Sequence, residues 1–439
     1  MTPAARIAAA IEVLADLEVR RRPVNDALRE WGQTHRFAGS KDRAGVASLV
    51  YDALRRRASS VFLLGDESPR AIVLGMLRLG RGLDAGEIAG LFSGERFAPV
   101  VLSSVERERL EAPVPDMPAA SAGDFPEWLT DSFARALGDD LIAETQALAD
   151  RAPIDIRVNT LKTTREGLAS ALAHLAPEPT PHAPDGLRFH AGEDGRGPAL
   201  QVEPEFLQGL YEIQDEGSQL AARLTLAAPG EQVVDLCAGA GGKTLALAAQ
   251  MDNRGQVFAT DVDARRLAAI HDRVSRSGAR NVQVRVPRGR YDPVRNPQVA
   301  DPVADLAGAA DLVLVDAPCT GTGTWRRNPD AKWRLRPGAL EERIKDQAMV
   351  LDRAAGLVKP GGRIAYVTCS LLPEENDAAI AGFLERHAGF APIAPAEVAQ
   401  AAGLAELADF ATAGGGLQLT PYRTETDGFY VAVLRKGAP

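Results

Sequence analysis

Apolar residues recur at spacings of three and four through ARIAAAIEVLADL, DRAGVASLVYDALRR and RAIVLGMLRLG. That period marks amphipathic helices with one face turned to a core. No segment before residue 110 shows the period of two that a half-buried strand needs. Residues 1–112 are therefore expected to form an all-α domain of five or more helices. Pro113, Pro115, Pro118 and Pro126 follow in close succession. Proline fixes φ and carries no N–H, so helices should stop there, and residues 113–126 read as a linker.

The texture then changes. EWLTDSFARALGDDLIAETQALADRA reads as helices, IDIRVNTLK as a strand and TREGLASALAHL as a helix, so residues 127–215 predict a small α+β domain. From residue 216 to 439, five short apolar runs alternate with helical patterns: EQVVDLCAG, GQVFATDVD, VQVRV, ADLVLVDAPC and GRIAYVTCSL. Runs of this kind are what strands buried on both faces look like. Their alternation with helices implies right-handed crossovers and a parallel, Rossmann-like sheet. The tail differs: LQLTPYR and FYVAVLRK, separated by TETDG, predict a hairpin.

Composition narrows the class. The 439 residues are 45% hydrophobic and 25% charged, as in soluble globular chains, with no apolar run long enough to span a bilayer. The N-terminal stretch carries acids within its apolar residues and does not read as a secretory leader. The three cysteines lie far apart without a CxxC pair, which supports neither a disulfide framework nor a structural metal site. A reducing, cytoplasmic setting is expected. A net charge of −9 argues against a nucleic-acid binder, yet the first 65 residues carry a basic surplus with clusters at Arg20–Arg22 and Arg55–Arg57. Those clusters fit either a nucleic-acid contact or ordinary solvated helix faces.

The turn after the first strand of the parallel sheet holds Gly239, Gly241 and Gly242. Glycines there permit a tight turn and close approach of a ligand to backbone N–H groups. A P-loop needs a glycine where Cys237 stands, and a dinucleotide fingerprint needs one where Thr244 stands. The looser D-x-x-x-G-x-G pattern of S-adenosylmethionine sites fits Asp235 through Gly241. Asp261, after the second strand, suits a ribose. A glycine turn with no ligand is the plain alternative.

Every cysteine falls at the C-terminal end of a predicted strand: Cys237, Cys319 and Cys369. Ligands bind along that edge of an open α/β sheet. If the fourth and fifth strands are neighbours, Asp316-Ala-Pro-Cys319 and Thr368-Cys369-Ser370 face one site. Buried cysteine is often apolar filler, but two at adjacent strand ends fit a definite chemistry. C5 of a pyrimidine is a poor nucleophile. A thiolate added at C6 activates it, and a second group assists release. Asp316 would hydrogen-bond a cytosine ring nitrogen. The following stretch, TGTGTWRRNPDAKWRL, mixes Trp325, Arg326, Arg327, Lys332, Trp333 and Arg334. Gly321 and Gly323 suggest mobility, and such a loop suits an extruded base and its backbone; a structural loop with core tryptophans is the alternative.

These residues resemble the RsmB/Sun/Fmu type of RNA (cytosine-5) methyltransferase. The matching pieces are Tyr211–Ser218, Cys237–Thr244, Asp261, Asp316–Cys319, Arg326–Trp333, Thr368–Ser370 with Pro373–Asn376, and Asp427–Val433. Asp42-Arg43 and Leu49–Arg55 resemble the NusB-like helical RNA-binding domain of that subfamily. The resemblance implies a class I S-adenosylmethionine-dependent methyltransferase domain. It implies Cys369 as nucleophile, Cys319 as the cysteine that aids product release, and Asp316 as a contact to base and cofactor. Cys237, Ala238, Gly239, Ala240, Gly241, Gly242 and Lys243 would hold the methionine part, and Asp261 the ribose. Arg326, Arg327, Lys332 and Trp333 would contact RNA. Arg288 takes a pocket position where similar proteins have an Asp that meets the adenine amine, so either Asp292 or a backbone carbonyl makes that contact or cofactor affinity is lowered. The implied partner is RNA, most readily 16S ribosomal RNA; the residues themselves lead to no metal and no membrane, and, with no coiled coil or obvious dimer helix, to a monomeric chain as the default expectation. Transfer RNA, another ribosomal site, or a non-catalytic assembly role are the competing expectations.

Overall fold

The computed structural model describes residues 1–190 and 197–438. It divides into two compact units: Met1–Arg151 with Trp325–Arg336, and Ala152–Thr324 with Pro337–Pro439.

The first unit is helical, as the apolar spacing predicts. Its helices include Pro3–Arg20, Val24–Thr34, Ser40–Arg55, Arg57–Leu64, Pro69–Leu79, Ala85–Leu91 and Ser104–Glu111. Several starts are written locally. Thr2 and Ser68 cap their helices with the side-chain oxygen, and Pro follows each at the first helical position. Asp84 with Glu87, and Ser103 with Glu106, form reciprocal capping boxes. The stripes meet in one core that includes Ala10, Val46, Val50, Val73, Leu74, Met76 and Ile88. The proline-rich stretch runs along this unit. Buried Asp124 accepts from the Ser59 backbone N–H at 3.0 Å and the Ser59 hydroxyl at 2.8 Å. The helices Thr130–Leu137 and Leu141–Ala149 complete the unit.

The second unit holds two sheets. The smaller comprises β1 (Ile154–Val158), β2 (Glu178–Pro179), β3 (Gly186–Phe189) and β4 (Tyr211–Ile213), in the antiparallel order β2-β3-β1-β4. The larger comprises β5 (Gln232–Asp235), β6 (Gln256–Ala259), β7 (Val282–Val284), β8 (Ala310–Asp316), β9 (Val358–Thr368), β10 (Phe390–Pro392), β11 (Leu417–Leu419) and β12 (Phe429–Lys436). Its order is β10-β12-β9-β8-β5-β6-β7, with β11 beside β12. The five strands expected to be parallel are parallel, β9 through β7. Their apolar runs split by period two: Val233, Leu312, Leu314, Ala365 and Val367 pack on one face, Val234, Val313, Val315, Ile364 and Tyr366 on the other. Both faces are therefore covered, as a parallel sheet requires.

The tail differs in detail from a simple hairpin. β11 and β12 do pair antiparallel. The TPYR segment, however, forms a short helix, Pro421–Thr424, because Pro421 is preset for a first helical position.

Candidate functional site

The strand order reverses between β5 and β8, and the chemistry-bearing residues gather at the C-terminal ends of β5, β6, β8 and β9. After β5 the chain turns through Cys237–Gly241 into the helix Gly242–Gln250. Gly239 and Gly241 have φ of 50° and 86°, the left-handed region that favours glycine. The turn is closed by the Gly241 N–H donating to the Ala238 carbonyl at 2.8 Å. A Cβ added at Gly239 or Gly242 would meet no heavy atom nearer than 3.8 Å, so the loop leaves room beside its backbone. Asp261, buried after β6, accepts from the Gly239 N–H at 3.1 Å and the Asp263 N–H at 3.2 Å. The sequence-predicted pair of glycine loop and spaced acid is thus brought together.

Carboxylates dominate this end of the sheet. Burial pushes the Asp235 carboxyl up to about 7, against one hydrogen bond from the Thr244 hydroxyl at 2.7 Å. Its Oδ1 is buried with no hydrogen-bond partner among the described residues. Cys237 is buried, and desolvation, with Asp261, Asp235 and Asp316 nearby, pushes its thiol well up. A cationic ligand suits such a site and a phosphate does not. Lys243 is likewise spoken for. Its ammonium donates to Asp316 at 2.8 Å and lies 4.9 Å from the centre of the Phe429 ring. Burial works against the Lys243 charge, but the Asp316 carboxylate outweighs it and holds the pKa above the ordinary value.

The two remaining cysteines meet. β8 and β9 are parallel neighbours, with Asp316 opposite Val367. The loops that leave them bring Cys319 Sγ to 3.4 Å from Cys369 Sγ. Both thiols are half-buried. The Cys369 contact, reinforced by burial, holds the Cys319 thiol well above the ordinary range. A thiol pair of this kind offers one sulfur for attack and a second S–H beside it. Gly323 does not loosen the loop. Its N–H donates to the Cys369 carbonyl at 3.0 Å, and a Cβ on it would come within 2.2 Å of the Gly428 carbonyl oxygen. Close backbone packing, not mobility, calls for glycine there.

Three further groups named from the sequence take the following places. Arg288 is exposed in the loop after β7. Asp292 accepts from the Val294 and Arg295 N–H groups of its own turn, at 3.0 and 2.8 Å. The basic–aromatic stretch belongs to the helical unit. Lys332 is buried and donates to the carbonyls of Arg55 at 3.0 Å and Asp124 at 2.7 Å. Desolvation lowers its ammonium to about 7. The Trp333 indole N–H donates to the Leu54 carbonyl at 2.6 Å. Trp325 is buried edge-on to Phe133, Arg326 is buried and Arg327 half-buried. Lys332 and the half-buried Trp333 tie helices together through these bonds.

Sequence reasoning gave no role to Glu375, Asn376 or Gln347. Asn376 accepts from the Thr368 hydroxyl at 2.6 Å and donates to the Ser370 carbonyl at 2.9 Å, bracketing Cys369. The Pro373–Asn376 segment was the available signal. Gln347 carried none, lying in the long helix Pro337–Leu357.

Residues 223–435 match the family model described as 16S rRNA methyltransferase RsmB/F, and residues 125–194 match the RsmF/B-like ferredoxin-like domain. The chain is 30% identical to a probable ribosomal RNA small subunit methyltransferase B of Synechocystis sp., across 97% of this chain and 98% of the relative. It is 31% identical to ribosomal RNA small subunit methyltransferase B of Pectobacterium atrosepticum, across 80% of this chain and 74% of the relative. Among solved structures, the protein PH0851 aligns with a TM-score of 0.72 at 29% identity, covering 99% of each chain. A methyltransferase homolog protein from Pyrococcus horikoshii aligns with a TM-score of 0.57 at 28% identity, covering 72% of this chain and 97% of that one.

Proposed function

Because the chain belongs to the 16S rRNA methyltransferase RsmB/F family, we propose that it methylates C5 of a cytosine in 16S ribosomal RNA through a covalent Cys369–C6 adduct. The observation that carries this reading is the Cys319–Cys369 pair at the ends of neighbouring parallel strands. A methyl transfer to nitrogen or to a ribose hydroxyl has no use for two apposed thiols, whereas C5 of a pyrimidine must be activated by addition at C6.

The residues at the sheet edge fit S-adenosylmethionine. The open backbone of Cys237–Lys243 would receive its methionine part, and Asp261 its ribose. The buried carboxylates favour its positive charge. Once bound, it supplies an electrophilic methyl group. The protein's own groups do the rest. The Cys369 thiolate adds to C6, and the ring electrons are pushed toward C5. Asp316, kept in place by Lys243, hydrogen-bonds the base and favours its activated form. After C5 has been methylated, a base removes the C5 proton and the Cys369–C6 bond breaks. Cys319, held protonated beside Cys369, donates its S–H to the departing sulfur and eases release.

The reading is tested by incubating the protein with methyl-labelled S-adenosylmethionine and small-subunit ribosomal RNA, then digesting the RNA to nucleosides. Label in 5-methylcytidine supports it. Label confined to any other nucleoside overturns it.

A further inference from the structure

Glu375 is buried to 0% exposure in a segment to which no role attaches above, and its carboxylate is saturated. Oε1 accepts from the Thr320 backbone N–H at 2.8 Å and from the Gln347 amide at 3.0 Å. Oε2 accepts from the Thr320 hydroxyl and the Ser370 hydroxyl, each at 2.5 Å. Thr320 directly follows Cys319, and Ser370 directly follows Cys369. The Gln347 amide also donates to the Pro318 carbonyl at 3.0 Å, so the Cys319 loop is held on both sides of the thiol. The main chain at Glu375 is fixed as well: its carbonyl accepts from the Tyr366 hydroxyl at 2.6 Å and its N–H donates to the Leu372 carbonyl at 3.0 Å.

We propose that Glu375 is the positioning residue of the cysteine pair: one buried carboxylate grips the residue after each cysteine and so fixes the spacing of the two sulfurs. The geometry favours this division of labour. Neither cysteine loop continues as a strand at this point, so the sheet alone does not set the distance between thiols on separate loops. Four donors from three segments converge on one rigid planar group, and two of those segments carry the thiols. Burying a carboxylate is costly unless it is fully hydrogen-bonded. Burial raises the Glu375 pKa, while the hydroxyl, backbone and amide donors work to lower it. A glutamine keeps the shape and both oxygen-side acceptances, and the two hydroxyls are able to rotate and accept from its amide. An alanine removes the acceptor that four donors share and leaves the two loops joined by weaker ties, the Gly323 N–H to the Cys369 carbonyl and the Leu371 N–H to the Thr322 hydroxyl.

The inference rests on the cysteine reading above, and the experiment separates the two. Cys319→Ala is combined in turn with Glu375→Ala and Glu375→Gln, and the formation of a denaturant-stable protein–RNA adduct is timed in the presence of S-adenosylmethionine. A displacement of about 1 Å at a reacting atom costs on the order of 100-fold. Glu375→Ala is expected to slow the adduct by at least about tenfold, and Glu375→Gln to recover most of that loss. Calorimetric affinity for S-adenosylmethionine is expected to stay unchanged in both, which a general loss of folding would not allow. An unaltered adduct rate in folded Glu375→Ala overturns the proposal. If Glu375→Ala does not fold, Ser370→Ala and Thr320→Val each remove one arm of the grip. Each is expected to slow the adduct, and unaltered rates in both overturn the proposal equally. If Cys319→Ala alone traps no adduct, the cysteine mechanism fails instead. The grip is then read in protein that retains both cysteines, by the rate at which diamide, reduced to its hydrazine, links Cys319 to Cys369. Glu375→Ala is expected to slow that closure, and an equal rate counts against the grip.

Discussion

Cys319 and Cys369 stand 50 positions apart in the chain, yet their sulfurs are separated by 3.4 Å. The contact follows from topology. β8 and β9 are parallel neighbours, each ends at the same edge, and each is followed by a short loop that carries one thiol. Cys237 stands at the same edge but differs in kind. It is buried among carboxylates, and its thiol is pushed far up. The thiolate is the reactive form, so the three cysteines should separate by reactivity. Native protein treated with iodoacetamide at neutral pH is expected to be alkylated first at half-buried Cys369, ahead of Cys319 and Cys237, whose thiols are held up, as read by peptide mass spectrometry. Early modification of Cys237 would contradict this assignment.

Asp235 predicts a pH dependence. Its carboxyl is raised to about 7 by burial, above the value of 3.8 ordinary for an unfolded chain. For a carboxyl raised on folding, the stabilisation is complete below the unfolded pKa and is lost as pH rises through the folded one. Wild type should therefore lose stability relative to Asp235→Asn between about pH 4 and pH 7, by up to about 4 kcal/mol. Thermal melts of the two proteins across that range provide the check. Parallel curves would show that the Asp235 carboxyl is not buried as described.

Trp333 belongs to the helical unit and predicts a stability effect. Trp333→Phe keeps most of the ring and removes the donor to the Leu54 carbonyl. The buried carbonyl left behind should cost about 1–3 kcal/mol, seen as a lower melting temperature. RNA affinity measured well below the melt should be unchanged. A loss of affinity without a loss of stability would return Trp333 to the RNA-contacting role.

Much of this was legible in the residues. The parallel sheet was readable because strands covered on both faces need unbroken apolar runs, and Val233–Val234, Leu312–Val315 and Ile364–Val367 supply them. The meeting of Cys319 and Cys369 followed from placing the two strands side by side. The destination of Arg326–Trp333 was not readable. A tryptophan and a lysine next to each other serve equally to stack a base or to plug a helical core, and the residues alone give no sign that their donors reach the Leu54, Arg55 and Asp124 carbonyls. The Glu375 grip was hidden for a related reason. It depends on Gln347, 28 positions earlier on a long helix, and on two hydroxyls whose neighbours had drawn attention for other chemistry. The short helix at Pro421 was not legible because β-rich neighbours outweighed one proline that favours a helical start.

The central claim is that Cys369 attacks the base and Cys319 aids its release. It is tested most directly by trapping. Purified Cys319→Ala is incubated with S-adenosylmethionine and small-subunit ribosomal RNA, then denatured and run beside Cys319→Ala/Cys369→Ala. The mechanism predicts a denaturant-stable protein–RNA species in the single variant, absent from the double, with the sulfur of Cys369 at the crosslink. A single variant that binds S-adenosylmethionine yet yields no such species, or a double variant that yields it equally, would contradict the mechanism.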